Sequence, residues 1–88
     1  MTRYGALHGD SGVRAYALVP RGIAVEFRSG AVYLYTHGSA GAHRIARMRA
    51  LARGGRGLST YISRHAHDRY AAVYADRGAW TAGRAGPA

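Results

Sequence analysis

The chain has 88 residues, with thirteen arginines, no lysine, four acids and five histidines for a formal net charge of +9, and it contains no cysteine. This length supports one small domain that buries roughly 60–65% of the surface its unfolded chain exposes, too little to enclose a deep active site. The missing cysteines exclude a disulfide framework and a thiolate metal site, and no apolar run approaches the roughly 18 residues of a membrane span or the pattern of a signal peptide, so a cytoplasmic protein is expected.

Residues 1–12 mix Gly, His, Asp and Ser without period and read as an N-terminal tail. Val13 to Val19 is a first strand, ended by Pro20-Arg21-Gly22, where proline presets its own φ and glycine tolerates a positive one. Ile23 to Arg28 alternates Ile23, Val25 and Phe27 against Ala24, Glu26 and Arg28, the period of a strand with one buried face. Ser29-Gly30 reads as a two-residue hairpin leading into Ala31 to Thr36. In that register Phe27 faces Val32 and Val25 faces Leu34. Ile23, Val25, Phe27, Val32 and Leu34 then share a core face, while Glu26, Arg28, Tyr33 and Tyr35 share the other. For the first strand, an even loop puts Tyr16 and Leu18 on the core face and a bulge puts Val13, Ala15, Ala17 and Val19 there; the even loop is favoured.

Ser39 is the expected N-cap of a helix over Ala40 to Ala52, in which Ile45, Met48, Leu51 and Ala52 fall in one sector and His43, Arg47, Arg49 and Arg53 point elsewhere. Gly54-Gly55-Arg56-Gly57 stops it. A second helix is expected from about Ser59 to Tyr74, carried by Leu58, Tyr61, Ile62, Ala66, Tyr70 and Val73 at three- and four-residue steps. Residues 78–88, glycine, alanine and proline around Trp80, read as a flexible C-terminal tail. The predicted fold is α+β: a three-stranded antiparallel meander followed by two helices packed on one face, β-β-β-α-α, over residues 13–77, with Ile62 completing the core.

The series Ile23-x-Val25-x-Phe27-x-x-Gly30-x-x-Tyr33-x-Tyr35, then after a helix Gly57-x-x-x-Tyr61-Ile62 and Tyr70, resembles the KTSC domain, a module of about 60 residues named for the C-terminal extension of some lysyl-tRNA synthetases. The similarity spans roughly residues 13–72. It departs from the family where Thr36-His37-Gly38 replaces a Val-Pro pair and Ser59 or Thr60 replaces an asparagine. The resemblance implies a small non-catalytic module that binds nucleic acid, RNA ahead of DNA, of a family that also occurs as small stand-alone proteins in bacteria and phages.

The residues themselves point to the same class of partner. Arg44, Arg47, Arg49, Arg53 and Arg56 cluster with no acid between Glu26 and Asp68, and Arg64, Arg69 and Arg77 extend the series, so their mutual repulsion goes uncompensated unless a polyanion is nearby, and polyanion contact is expected. A genome-wide bias accounts for arginine in place of lysine, since asparagine and glutamine are missing too, but leaves the scarcity of acids unexplained. Guanidinium forks onto phosphate and stacks on bases. Tyr33 and Tyr35 beside Arg28 resemble the aromatic platforms on which RNA-binding sheets stack bases. The glycine-rich 54–57 segment lacks both Walker and Rossmann spacing and reads as a linker. His65-x-His67-Asp68 places two histidines about 200° apart on a helix, unsuited to one metal. The four acids are scattered and the histidines lack a nucleophile partner, so neither an enzyme nor a cofactor is expected. The alternative is an assembly module, phage-encoded or homodimeric, whose arginines meet an acidic protein.

Overall fold

The computed structural model describes residues 1–5 and 12–84. β2 (Val13–Val19) and β3 (Gly22–Phe27) turn at Pro20-Arg21, with Leu18 opposite Ile23 and Tyr16 opposite Val25, which is the even register. A register shift between Val13 and Ala15 then lets Val13 join Tyr16 in the core. Gly22 has to be glycine, because a Cβ there would strike the Tyr35 carbonyl on the neighbouring strand.

The second hairpin departs from expectation by one residue. Phe27 N–H donates to the Ala31 carbonyl at 3.0 Å and Gly30 N–H to the Phe27 carbonyl at 2.9 Å, so the loop is Arg28-Ser29-Gly30, with Gly30 at φ +97°. A tight turn followed by a left-handed glycine is the usual three-residue solution. With one loop residue more than expected, β4 (Val32–Thr36) turns over: Val25 faces Tyr33, Ile23 faces Tyr35, and Val32 and Leu34 go to the opposite side.

β1 (Thr2–Arg3) pairs with β2, and β5 (Ala72–Tyr74) pairs with β4, completing a five-stranded antiparallel sheet in the order β1-β2-β3-β4-β5. The fold is thus α+β with an antiparallel meander, of five strands instead of three. The segment expected as a tail begins with β1, and Tyr4 is buried, its hydroxyl accepting from Leu58 N–H at 3.1 Å.

Between β4 and β5 lie three helices. α1 (His37–Ala40) is capped by Thr36, whose hydroxyl accepts from Ser39 N–H at 3.1 Å while the Ser39 hydroxyl accepts from Thr36 N–H at 2.9 Å. Ser39 is therefore the reciprocal partner in a capping box rather than the N-cap of the long helix. Gly41, at φ +91°, restarts the chain into α2 (Ala42–Gly54), which buries Ile45, Met48 and Ala52 and ends at left-handed Gly55. α3 (Leu58–Tyr61) widens into a π-helical turn over Ile62–Ala66. The stripe Leu58, Ile62, Ala66 is buried as expected, but the helix stops there and does not reach Tyr74. Strand pairing takes the rest: Ala71 N–H donates to the Leu34 carbonyl at 2.7 Å, and β5 satisfies an edge of β4 that a helix would leave unpaired.

α4 (Arg77–Arg84) closes the described chain where a flexible tail was expected. Asp76 caps it, Oδ1 accepting from Ala79 N–H at 2.7 Å, and Trp80 is buried. The sheet therefore separates two cores. Ile23, Val25, Tyr35, Ile45, Met48 and Ile62 lie under α2 and α3, with Phe27, Tyr33 and Leu51 at the margin. Trp80 of α4 packs on Ala24 and Val32 of the other face, with Leu34, Ala17 and Val19 beside them. The single core expected from Ile23 through Ile62 is split in two because Val32 and Leu34 changed sides, and the helices cover both faces instead of one.

Candidate nucleic-acid interface

α2 sets the geometry of the cationic surface. Its apolar stripe faces the sheet, Arg44 and Arg49 emerge half-buried along its flanks, and His43, Arg47 and Arg53 are exposed. The two flanking arginines staple the helix to its neighbours. Arg44 Nε donates to the His65 carbonyl at 3.0 Å and its Nη1 to the Ala40 carbonyl at 3.3 Å. Arg49 Nη1 donates to the carbonyls of Val19 and Gly22, each at 3.0 Å. Both residues carry structural bonds in addition to any role toward a ligand.

A groove lies on each side of α2. Toward the π-helical turn, His43, Arg44, Arg47, Tyr61 and His65 line a space of about 360 Å³. The Tyr61 and His65 rings lie 4.8 Å apart between centroids and 40° from parallel. Toward the β2–β3 turn, a larger space of about 660 Å³ is lined by Leu18, Val19, Pro20, Arg21, His37, Ile45, Ala46, Arg49 and Arg53. Neither lining includes an acid. Glu26 is buried beneath a bidentate Arg77, with contacts of 2.7 and 3.2 Å. This contact favours protonated Arg77, first through the hydrogen bonds and then through charge, and raises its pKa. Asp76 caps α4, and Asp68 stands 3.9 Å from both His67 and Arg69 at the surface. Asp10 lies outside the described residues.

The expected tyrosine platform is not formed. Tyr35 is 1% exposed, packed under the helices by the one-residue change of register, so no base can lie on it. Burial, and then the neighbouring Tyr33 and Tyr70, push its phenol above the usual tyrosine range. Tyr33 is half-buried and edge-on to both Phe27 and Tyr70, with ring centroids 5.2 and 5.0 Å away. Those three rings form one edge-to-face cluster, not an open face. Arg28 is exposed in the hairpin loop, where its carbonyl accepts from Arg14 Nη2 at 2.8 Å.

Of the remaining expected contacts, Arg47, Arg53, Arg56, Arg64 and Arg69 are exposed. Arg56 sits between Gly55 and Gly57, both in the left-handed region. Arg77, which the sequence joined to the basic series, holds Glu26 instead. The aromatic element that sequence reasoning missed is Tyr61 with His65, four residues apart and facing His43 and Arg47, themselves four apart. That double i,i+4 spacing was a signal available in the chain. Among the described residues no three His, Cys, Asp or Glu side chains gather as a metal site would need, and no helix is long and apolar enough to cross a membrane. Comparison with protein-family models, with curated proteins and with solved structures finds no match.

Proposed function

We propose that the chain is a small non-catalytic module that binds single-stranded nucleic acid, RNA ahead of DNA, on the surface formed by α2, α3 and the π-helical turn. The observation that carries this reading is the groove of His43, Arg44, Arg47, Tyr61 and His65, which brings guanidiniums and two adjacent aromatic rings into one acid-free lining. A nucleotide needs both, a π-face for its base and a fork of donors for its phosphate. Arg44 is held in place by two carbonyls, so it meets a phosphate without first losing side-chain freedom. Arg47 projects into solvent one helical turn from His43 and supplies a longer-range charge. Arg53, Arg56 and Arg64 extend the positive field beyond the groove and follow a backbone without reading bases. The resemblance to KTSC domains belongs to this reading, with the base contact moved from the sheet to the helices.

Binding of a labelled single-stranded 12-mer, followed by anisotropy at several salt concentrations, tests it. Replacing Arg47 with Gln should weaken all sequences alike and lower the salt slope by roughly 0.7 units. His65→Ala should weaken single strands more than duplex, because paired bases cannot reach a stacking ring. Unchanged single-strand affinity in both variants would overturn the proposal.

A further inference from the structure

The groove between the β2–β3 turn and α2 differs chemically from its neighbour. It holds no tyrosine and one ring, the His37 imidazole: Leu18 and Ala46 give it exposed apolar surface with Ile45 buried behind them, and its rim is Arg21, His37, Arg49 and Arg53. We propose that this groove docks an acidic peptide that carries one large apolar side chain.

Three features support this. Leu18 is 37% exposed although it stands on the core-facing side of β2 opposite Ile23, because it lies at the open end of the groove. A large apolar side chain at a cationic rim is a poor arrangement for water and a good one for a ligand with both characters. Second, Arg21 occupies the left-handed region at φ +57°, the only described non-glycine residue to do so. Glycine would take that turn position without strain, so the chain carries a guanidinium there against the backbone's own preference. The turn is fixed from the far side, where the Arg21 carbonyl accepts from His37 N–H at 2.9 Å. Third, Arg49 makes both of its carbonyl bonds through Nη1. Its Nε and Nη2 donors remain for a carboxylate, on a side chain already immobilised.

An apolar side chain seated on Leu18 and Ala46 would bring flanking carboxylates to Arg21 and Arg53, and the chain's net charge of +9 steers such a peptide toward the surface. A nucleic-acid strand uses the arginines but has no need of Leu18. A second copy of this chain is a weak occupant, since it carries the same net charge of +9, Glu26 and Asp76 are committed to Arg77 and to the α4 cap, and among the described residues that leaves Asp68, a single carboxylate flanked by His67 and Arg69.

The test uses the full chain and a fluorescein-labelled decapeptide with four aspartates around one phenylalanine, with a second peptide in which serine replaces the phenylalanine. The phenylalanine peptide should bind at least fivefold more tightly than the serine one. Leu18→Ser should remove that difference while leaving binding of the single-stranded 12-mer unchanged. Arg21→Gly separates function from fold: it relieves the positive φ, so the thermal midpoint should hold or rise while peptide affinity falls at least fivefold. Equal binding of the two peptides, or an equal loss of peptide and 12-mer in Leu18→Ser, would overturn the proposal and assign the groove to general polyanion contact. Loss of 12-mer binding in Arg47→Gln with peptide binding intact bears on the other groove alone, so the two readings fail separately.

Discussion

Trp80 gives the sharpest test of the fold. It is the only tryptophan, 5% exposed, and it sits between α4 and the sheet face formed by Ala24 and Val32. A buried indole removes roughly 150–250 Å² from water. At about 25 cal/mol per Å² this is worth ~4–6 kcal/mol, an upper bound because the unfolded chain hides part of that area. Losses on replacing a buried tryptophan with alanine run at about 3–5 kcal/mol. Trp80→Ala should therefore remove about 3 kcal/mol, a large share of the stability of so small a domain. In urea, with a slope of about 1–1.5 kcal/mol per M, the midpoint should fall by about 2–3 M, followed by far-ultraviolet circular dichroism because the fluorophore is lost. Thr81→Ala, an exposed neighbour on the same helix, should stay within about 0.5 kcal/mol of the parent. If the two variants behave alike, the second core does not exist and the C-terminal segment is the tail its composition suggests.

Gly22→Ala should destabilise by about 1–3 kcal/mol, because the added carbon meets a backbone carbonyl of a paired strand that cannot swing away; chemical denaturation measures it. Gly30→Ala meets nothing within 4 Å, so its cost is purely the positive φ, about 1–2 kcal/mol by the same method. Tyr35 ionises less readily folded than at its ordinary pKa of 10.0, so its contribution is full below pH 10 and is lost above it at about 1.4 kcal/mol per pH unit. Denaturation of Tyr35→Phe beside the parent from pH 9 to 11 should show a shallower alkaline decline in the variant, and parallel curves would refute the burial argument.

Much of the fold is local and was legible for that reason. The alternation of Ile23, Val25 and Phe27, the stripe of Ile45, Met48 and Ala52, and the glycine stop at Gly55 each follow from periodicity or backbone preference within a few residues. What failed were parity and distance. Arg28-Ser29-Gly30 and Ser29-Gly30 are both acceptable turn sequences, and the choice between them turned Tyr35 from an exposed platform into the core. Tyr70 and Val73 fit a helical spacing, yet their segment was captured as a strand by the free edge of β4, a tertiary demand that no local pattern encodes. Trp80 lies on a helix that Arg77 ties to Glu26 across 51 positions, a long-range contact no local pattern encodes, although Asp76, three residues before Ala79, was a readable helix cap. Arg47, Arg53, Arg56, Arg64 and Arg69 are exposed as expected, because solvation of a charge does not depend on strand register, whereas Arg44, Arg49 and Arg77 are tied to carbonyls and to Glu26. Tyr61 fits a core stripe and His65 a metal-like pair with His67, and only the fold brings the two rings beside Arg44 and Arg47.

The most direct test of the nucleic-acid reading is the salt dependence of single-strand affinity for the parent and for a chain in which Arg47, Arg53 and Arg64 are all replaced by glutamine. All three are exposed, so the fold should stand, and the account predicts that the log–log slope falls by about 2 units with affinity lowered for every sequence tested. A parent that binds no single strand at low salt, or a triple variant whose slope and affinity match the parent, would contradict it.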